Sequence, residues 1–364
     1  MKIKDITNYI EELAPLSYAE DFDNVGLLIG SYETEVTGVL VTLDTLEETI
    51  DEAIEKKCNL IVSFHPIIFS GLKKINGNNY VERVVLKAIQ NNIAIYATHT
   101  ALDNSNNGVS AKMCEVLELK NTQILIPKTK IIKKLTTYVP TENANELREK
   151  LFEAGAGNIG NYDLCSYNID GTGTFRGNEN SNPTIGKVGK LQFEPETCIS
   201  VIFESHLEGR ILKSLFKNHP YEEIAYEIIT LDNTHQNIGM GMFGEFETAM
   251  NEEDFLKFVK KTFKTGCVRH SKLLNKSIKK VAVLGGSGSF AISNAIKINA
   301  DAYVSADFKY HEFYKAENKI LLADVGHYES EQFTKTLLFD YLNKKITTFA
   351  VSLSENSTNP IYYL

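Results

Sequence analysis

Residues 321–333 read LLADVGHYESEQF, and the way this run folds sets the class of the whole chain. Leu321, Leu322 and Ala323 form the apolar end of a buried strand, and Gly326 supplies a turn. From His327 onward, Phe333, Leu337, Leu338, Tyr341 and Leu342 recur at helical spacing. His327 and Glu331 therefore stand i and i+4 at the start of a helix and share a face. An imidazole beside a carboxylate at the C-terminal end of a strand can grip a divalent metal. A solvated surface pair has the same spacing, so the remaining chain decides between the two.

Two other stretches repeat the arrangement. Asn59–Ser63 is nearly all apolar and ends in Phe64-His65-Pro66, and Ile93–Ala97 runs into Thr98-His99-Thr100-Ala101-Leu102-Asp103. Continuous apolar strands suit a parallel sheet covered on both faces. Helical patterns at 3–14, 45–57, 80–91 and 109–119 alternate with the strands, which predicts a layered α/β domain. The crevice outside the C-terminal strand ends of such a sheet collects functional side chains. His65, Asp103, His327 and Glu331 can converge there, two nitrogens and two carboxylates suited to zinc, manganese or iron. Asp307 and His311, in SADFKYHEF (305–313), follow a further strand. They either support the metal centre or make an ordinary salt bridge at a helix start. Gly285-Gly286-Ser287-Gly288 reads as a strand–helix turn whose backbone N–H groups could also meet an anion.

Between 130 and 232 the pattern changes. It reads strand (131–139), helix (143–154), two strands near 161–176 and 198–204, helix (206–217) and strand (224–231). This is the β-α-β-β-α-β order of a ferredoxin-like α+β unit. Asn143 with Glu146 predicts a capping box. The run GAGNIGNYDLCSYNIDGTGTFRG (155–177) is either a set of tight hairpin turns or a loop that a ligand approaches. The expected organisation is a core made of residues 1–129 and 233–364, with residues 130–232 inserted between its halves.

Composition removes other classes. The 364 residues include 43% hydrophobic positions, 17 Tyr and 19 Phe, ample for real cores. A net charge of −9 with no basic run argues against general nucleic-acid or anionic-membrane binding. The five cysteines are isolated and never in a CxxC, as expected in a reducing compartment. There is no 18-residue apolar run, hence no expected membrane span. Met1 leads directly into an acid-bearing amphipathic helix and not a signal peptide, so a cytoplasmic protein is expected.

Motifs along the entire chain resemble those of one family. YAEDFDNVGLLIG (18–30), IVSFHPIIFSGLKK (61–74), ATHTALDN (97–104), VAVLGGSGS (281–289), DAYVSADFKYHEF (301–313) and DVGHYESE (324–331) occur in the order found in the NIF-three-like dinuclear-metal proteins, also called GTP cyclohydrolase 1 type 2 homologs. The insert, with GAGNIGNYDLCSY, GTGTFRG and HPYEE (219–223), is similar to the PII/CutA-like module of the longer bacterial members. The resemblance implies a toroidal homohexamer, a trimer of dimers, with two neighbouring divalent metals per subunit. It places one metal on His65, Asp103 and Glu331. The second would rest on His327, the bridging Glu331 and another histidine. That other histidine is Phe64 here, and a phenyl ring cannot ligate. One tightly held ion and a weak or absent second are therefore expected.

The resemblance also implies a reaction class, a metal-dependent hydrolase acting on a purine nucleotide or related heterocycle. His99, Asp307 and His311 are the candidates for proton transfer or for support of the metal ligands. The alternative is a non-catalytic metal-binding protein, or a regulator whose PII-like insert senses a small ligand.

Overall fold

The computed structural model describes residues 1–364. The chain opens with helix α1 (Ile3–Leu13) and strands β1 (Gly26–Ile29) and β2 (Val39–Thr42). Helix α2 (Glu47–Glu55), strand β3 (Leu60–Ser63), helix α3 (Tyr80–Gln90) and strand β4 (Ala94–Ala97) follow, then two helices, α4 (His99–Asp103) and α5 (Val109–Val116), and strand β5 (Lys120–Thr129). Next come β6 (Ile132–Pro140), α6 (Ala144–Glu153), β7 (Tyr167–Phe175), β8 (Gln192–Glu204), α7 (Glu208–Asn218) and β9 (Tyr226–Leu231). Strand β10 (Thr234–Asn251), helix α8 (Glu252–Thr262), β11 (Arg269–His270), β12 (Ser277–Ser287), α9 (Ile292–Lys297) and β13 (Ala302–Ala306) lead to β14 (Leu321–Asp324). The last elements are α10 (His327–Glu331), α11 (Thr334–Lys345) and β15 (Val351–Leu353).

Two compact units result, Met1–Pro127 with Asn237–Leu364, and Lys128–Gln236. The larger unit holds two sheets. The first is five-stranded in the order β1-β4-β3-β2-β15, and β15, β2, β3 and β4 run parallel. Every residue of β2, β3 and β4 is buried, because helices cover both faces. Val39, Val41, Leu60, Val62 and Tyr96 pack on Ile6 and Ile10 of α1 and Leu338 and Leu342 of α11. The alternate residues Leu40, Ile61 and Ile95 pack on Ile50 of α2 and Val84 and Ala88 of α3. The second sheet, β11-β14-β13-β12-β10-β5, has β12, β13 and β14 parallel at its centre. Its faces are covered likewise, Val283, Val304 and Ala323 by Phe255 and Val259 of α8, and Ala282, Tyr303 and Leu322 by Ile292 and Ala295 of α9. A layered α/β core built from both chain halves is thus what the strand pattern predicts.

Strands β5 and β10 are not expected from the sequence pattern. Polar residues and Pro127 interrupt the first, and glycines at 239, 241 and 244 the second. The glycine at 239 is needed because the backbones crowd there: a Cβ would lie 2.1 Å from the Ile126 carbonyl oxygen. The smaller unit spans Lys128–Gln236, so the last residues of β5 and the first of β10 fall within it.

The smaller unit follows the order β6-α6-β7-β8-α7-β9, with an antiparallel sheet ordered β7-β8-β6-β9. Leu135, Val139, Ile199 and Val201 on one face pack against Leu147 and Leu151 of α6 and Ile211 and Leu215 of α7. The expected capping box at Asn143 is not formed. Asn143 has helical dihedrals at the end of a short 3-10 turn, Thr141–Asn143, so its side chain is not placed to cap α6. No helix in the structure is long and apolar enough to cross a membrane.

Candidate metal centre

In the larger unit, the parallel strands of both sheets deliver polar residues from their C-terminal ends. Asp44 follows β2, His65 follows β3, and His99 and Asp103 lie on α4 after β4. In the second sheet Ser287 ends β12, Asp307 follows β13, and His327 and Glu331 lie on α10 after β14. The helices α4 and α10 are built alike, each five residues long with a histidine at its first position and a carboxylate at its last.

Glu331 is the focus. It is only 3% exposed, and its Oε2 lies 3.1 Å from His65 Nε2 and 3.2 Å from His327 Nε2. Neither contact has hydrogen-bond geometry, so this buried oxygen has no donor. The other nitrogen of each ring is occupied: His65 Nδ1 lies 2.7 Å from Asp44 Oδ1, and His327 Nδ1 lies 2.7 Å from Asp307 Oδ2. Asp307 also accepts a hydrogen bond from the Ser287 hydroxyl. A carboxylate that accepts a hydrogen bond from Nδ1–H fixes the ring orientation and leaves Nε2 facing Glu331, where it can ligate a metal once its own proton is lost. Three ligand atoms thus converge, all within 4.8 Å of one another. Two imidazole nitrogens and a carboxylate oxygen, each ring braced from behind by a carboxylate, make a donor set suited to a divalent metal. The residues present therefore fit such an ion.

The electrostatics show how tightly these charges are coupled. Burial alone would lower the pKa of both imidazoles, but the hydrogen bond to Asp44 and the negative charges of Asp44 and Glu331 raise His65 to about 10. Asp307 and Glu331 likewise raise His327 to about 11. Against the burial that opposes it, the two imidazoles hold Glu331 at about 2. Burial, reinforced by the Glu331 charge, pushes the Asp103 carboxyl well above the usual carboxylate range. Asp103 ends α4 and is not one of the three residues whose ligand atoms converge.

His99 is braced like the other two histidines. Its Nδ1 lies 2.7 Å from Asp23 Oδ1, and Asp23 also accepts from the Thr100 backbone N–H at 3.0 Å and from the Thr100 hydroxyl. The His99 ring stands edge-on to His65, centroids 5.4 Å apart. His99 and Asp307 have positive φ, 25° and 57°, a conformation that non-glycine residues rarely adopt and that is often found at functional sites. His311 lies elsewhere, exposed, with its ring near those of Tyr310 and Tyr314. Phe64 is fully buried in the core, its ring 4.8 Å from that of His65.

Sequence reasoning missed Asp23 and Asp44, and it reads Gly286 only as part of a strand–helix turn that could meet an anion. Asp44 stands at a parallel strand end, as His65 does, but it is one carboxylate among many and no local pattern singles it out. Gly286 is no anion cradle: β12 runs through it, and its N–H donates to Ser330 Oγ at 2.9 Å. A Cβ on Gly286 would lie 2.4 Å from Glu331 Oε1, so its missing side chain makes room for the carboxylate.

Fold and site define a two-sheet α/β protein with a buried histidine–carboxylate centre where the parallel strands of both sheets end. A profile of the Duf34/NIF3 (NGG1p interacting factor 3) family matches residues 1–360, and the chain belongs to that family. It is 37% identical over 366 residues to a GTP cyclohydrolase 1 type 2 homolog of Bacillus subtilis (strain 168), covering 99% of this chain and 98% of that protein. A homolog of the same name from Staphylococcus aureus (strain MSSA476) is 34% identical over 368 residues, covering 100% of both. The crystal structure of a Bacillus cereus protein related to NIF3 superposes with a TM-score of 0.88 at 34% identity, covering 100% of this chain and 99% of that one.

Proposed function

We propose that the chain is a divalent-metal protein that uses His65, His327 and Glu331, with Asp103 beside them, to hold one ion for hydrolysis of a purine nucleotide or related heterocycle. The observation that carries this reading is the donorless Glu331 oxygen between two Nε2 atoms. Zinc, manganese or iron bound there would act as a Lewis acid and lower the pKa of a coordinated water. Asp44 and Asp307 hold the two ring orientations, and His99, braced by Asp23, stands next to His65 where a proton can be taken or given. The substrate class follows the name of the B. subtilis and S. aureus relatives.

The test is metal analysis alongside a turnover screen of nucleotides and cyclic amides. A chain that retains no ion after dialysis against a mild chelator ends the metal reading, and saturable nucleotide binding without turnover ends the hydrolase reading. The second outcome would favour a sensor. A specific feature suits that role, a cavity of about 290 Å³ within the smaller unit lined by Tyr138, Phe175, Arg176, Glu196 and Tyr221.

A single ion is favoured because His65 and His327 face the same Glu331 oxygen, and the position that would supply another imidazole is Phe64, buried among apolar side chains. Wild type is expected to keep one ion per chain, and Phe64→His to raise the count toward two. Two retained ions in the wild type would show that a residue such as His99 replaces the missing ligand. We also propose that the chain assembles as a homohexamer. Sedimentation should give six times the 40.8 kDa chain mass, and a stable monomer at micromolar concentration would refute it.

A further inference from the structure

After β15 the chain does not leave the site. Ser354 and Thr358 are 2% and 8% exposed. The Ser354 hydroxyl donates to Glu52 Oε2 at 2.6 Å, and the Glu355 N–H donates to Glu52 Oε1 at 2.9 Å, anchoring the segment on α2. Four residues beyond Ser354, the Thr358 hydroxyl donates to Asp44 Oδ2 at 2.6 Å. Asp44 is the carboxylate whose other oxygen holds His65 Nδ1. Next to it, Asn359 Nδ2 donates to Glu329 Oε1 at 3.1 Å. Glu329 is 5% exposed and sits on α10 between His327 and Glu331.

We infer that Thr358 and Asn359 are positioning residues of the metal centre, Thr358 orienting His65 through Asp44 and Asn359 steadying α10 through Glu329. The inference rests on the metal reading above. A carboxylate bound at one oxygen only can still turn about its terminal torsion, which is broad and roughly two-fold. With Thr358 on Oδ2 and His65 on Oδ1, both oxygens of Asp44 are engaged, and the imidazole plane is set. Outer partners of this kind tune affinity without touching the ion. Thr358 and Asn359 therefore belong to the site although neither reaches Glu331.

The experiment uses the full chain loaded with cobalt(II), whose visible absorption reports ligand geometry, and follows its release to a chelator. Thr358→Val keeps the shape and removes the donor. It is expected to speed release about 10-fold, the lower end for outer-shell partners, and to shift the cobalt bands, while Thr358→Ser restores both. Ser354→Ala loosens the same segment at Glu52 alone and should leave the bands unchanged. Wild-type release and spectrum in Thr358→Val would overturn the inference and leave the metal reading standing. So would equal effects from Ser354→Ala and Thr358→Val, which would mean general docking of the segment. A wild type that takes up no cobalt brings down both.

Discussion

Glu331→Gln should give a folded chain that no longer retains a divalent ion. The amide has the shape of the carboxylate, so the pocket between α10 and β12 stays filled. What disappears is the only charge in contact with both Nε2 atoms. Losing an outer partner costs about 10- to 100-fold in metal affinity, so losing this shared ligand should cost at least about 100-fold. The fold survives because the imidazoles can shed their protons once the neighbouring charge is gone, leaving no unpaired cation buried. Metal content after dialysis and the unfolding midpoint of the metal-free protein check the two halves of the expectation. Wild-type metal content in Glu331→Gln would show that the site is misassigned.

Gly286→Ala should do comparable damage without altering any ligand. Gly286 has φ +68°, and the added methyl would lie 2.4 Å from Glu331 Oε1 and 3.3 Å from His327 Cε1. The backbone alone would cost about 1–3 kcal/mol. The contact adds to that by forcing Glu331 off the line between the two histidines. The expected result is a lower unfolding midpoint together with lost metal retention. Gly71→Ala is the control, since a Cβ there meets nothing within 4 Å. An ion held as firmly by Gly286→Ala as by wild type would mean that Glu331 has room to move and does not set the site's geometry.

The part of the site that can be read from sequence is the part governed by local rules. His65, His327 and Glu331 follow apolar runs, and the parallel strands carry them to one edge. The i,i+4 spacing that pairs His327 with Glu331 fits α10. Asp307 is placed as a support for His327, one of the two roles its position allowed. His99 is close to the group, whereas His311 is turned away on an exposed 3-10 turn that the helical pattern does not distinguish from an inward-facing one. Asp23 and Asp44 escape notice because their partners are set by which strands neighbour one another, and no local pattern records that. Strand β10 escapes for a related reason: its glycines suit close approach to β5, and only the approach explains them.

Strand β15 pairs with β2, Val351 beside Val39, so nearly the whole chain must exist before the first sheet has its last strand. The residues of the proposed centre have the same long reach, from His65 to Glu331. Contacts between such distant parts of a chain are slow to form because the long loop must close first. On the ribosome, then, a growing chain would display His65 and His99 long before Glu331 exists, and could grip no ion firmly. On the proposed metal reading, firm uptake of an ion would have to wait until α10, which carries Glu331, has been made.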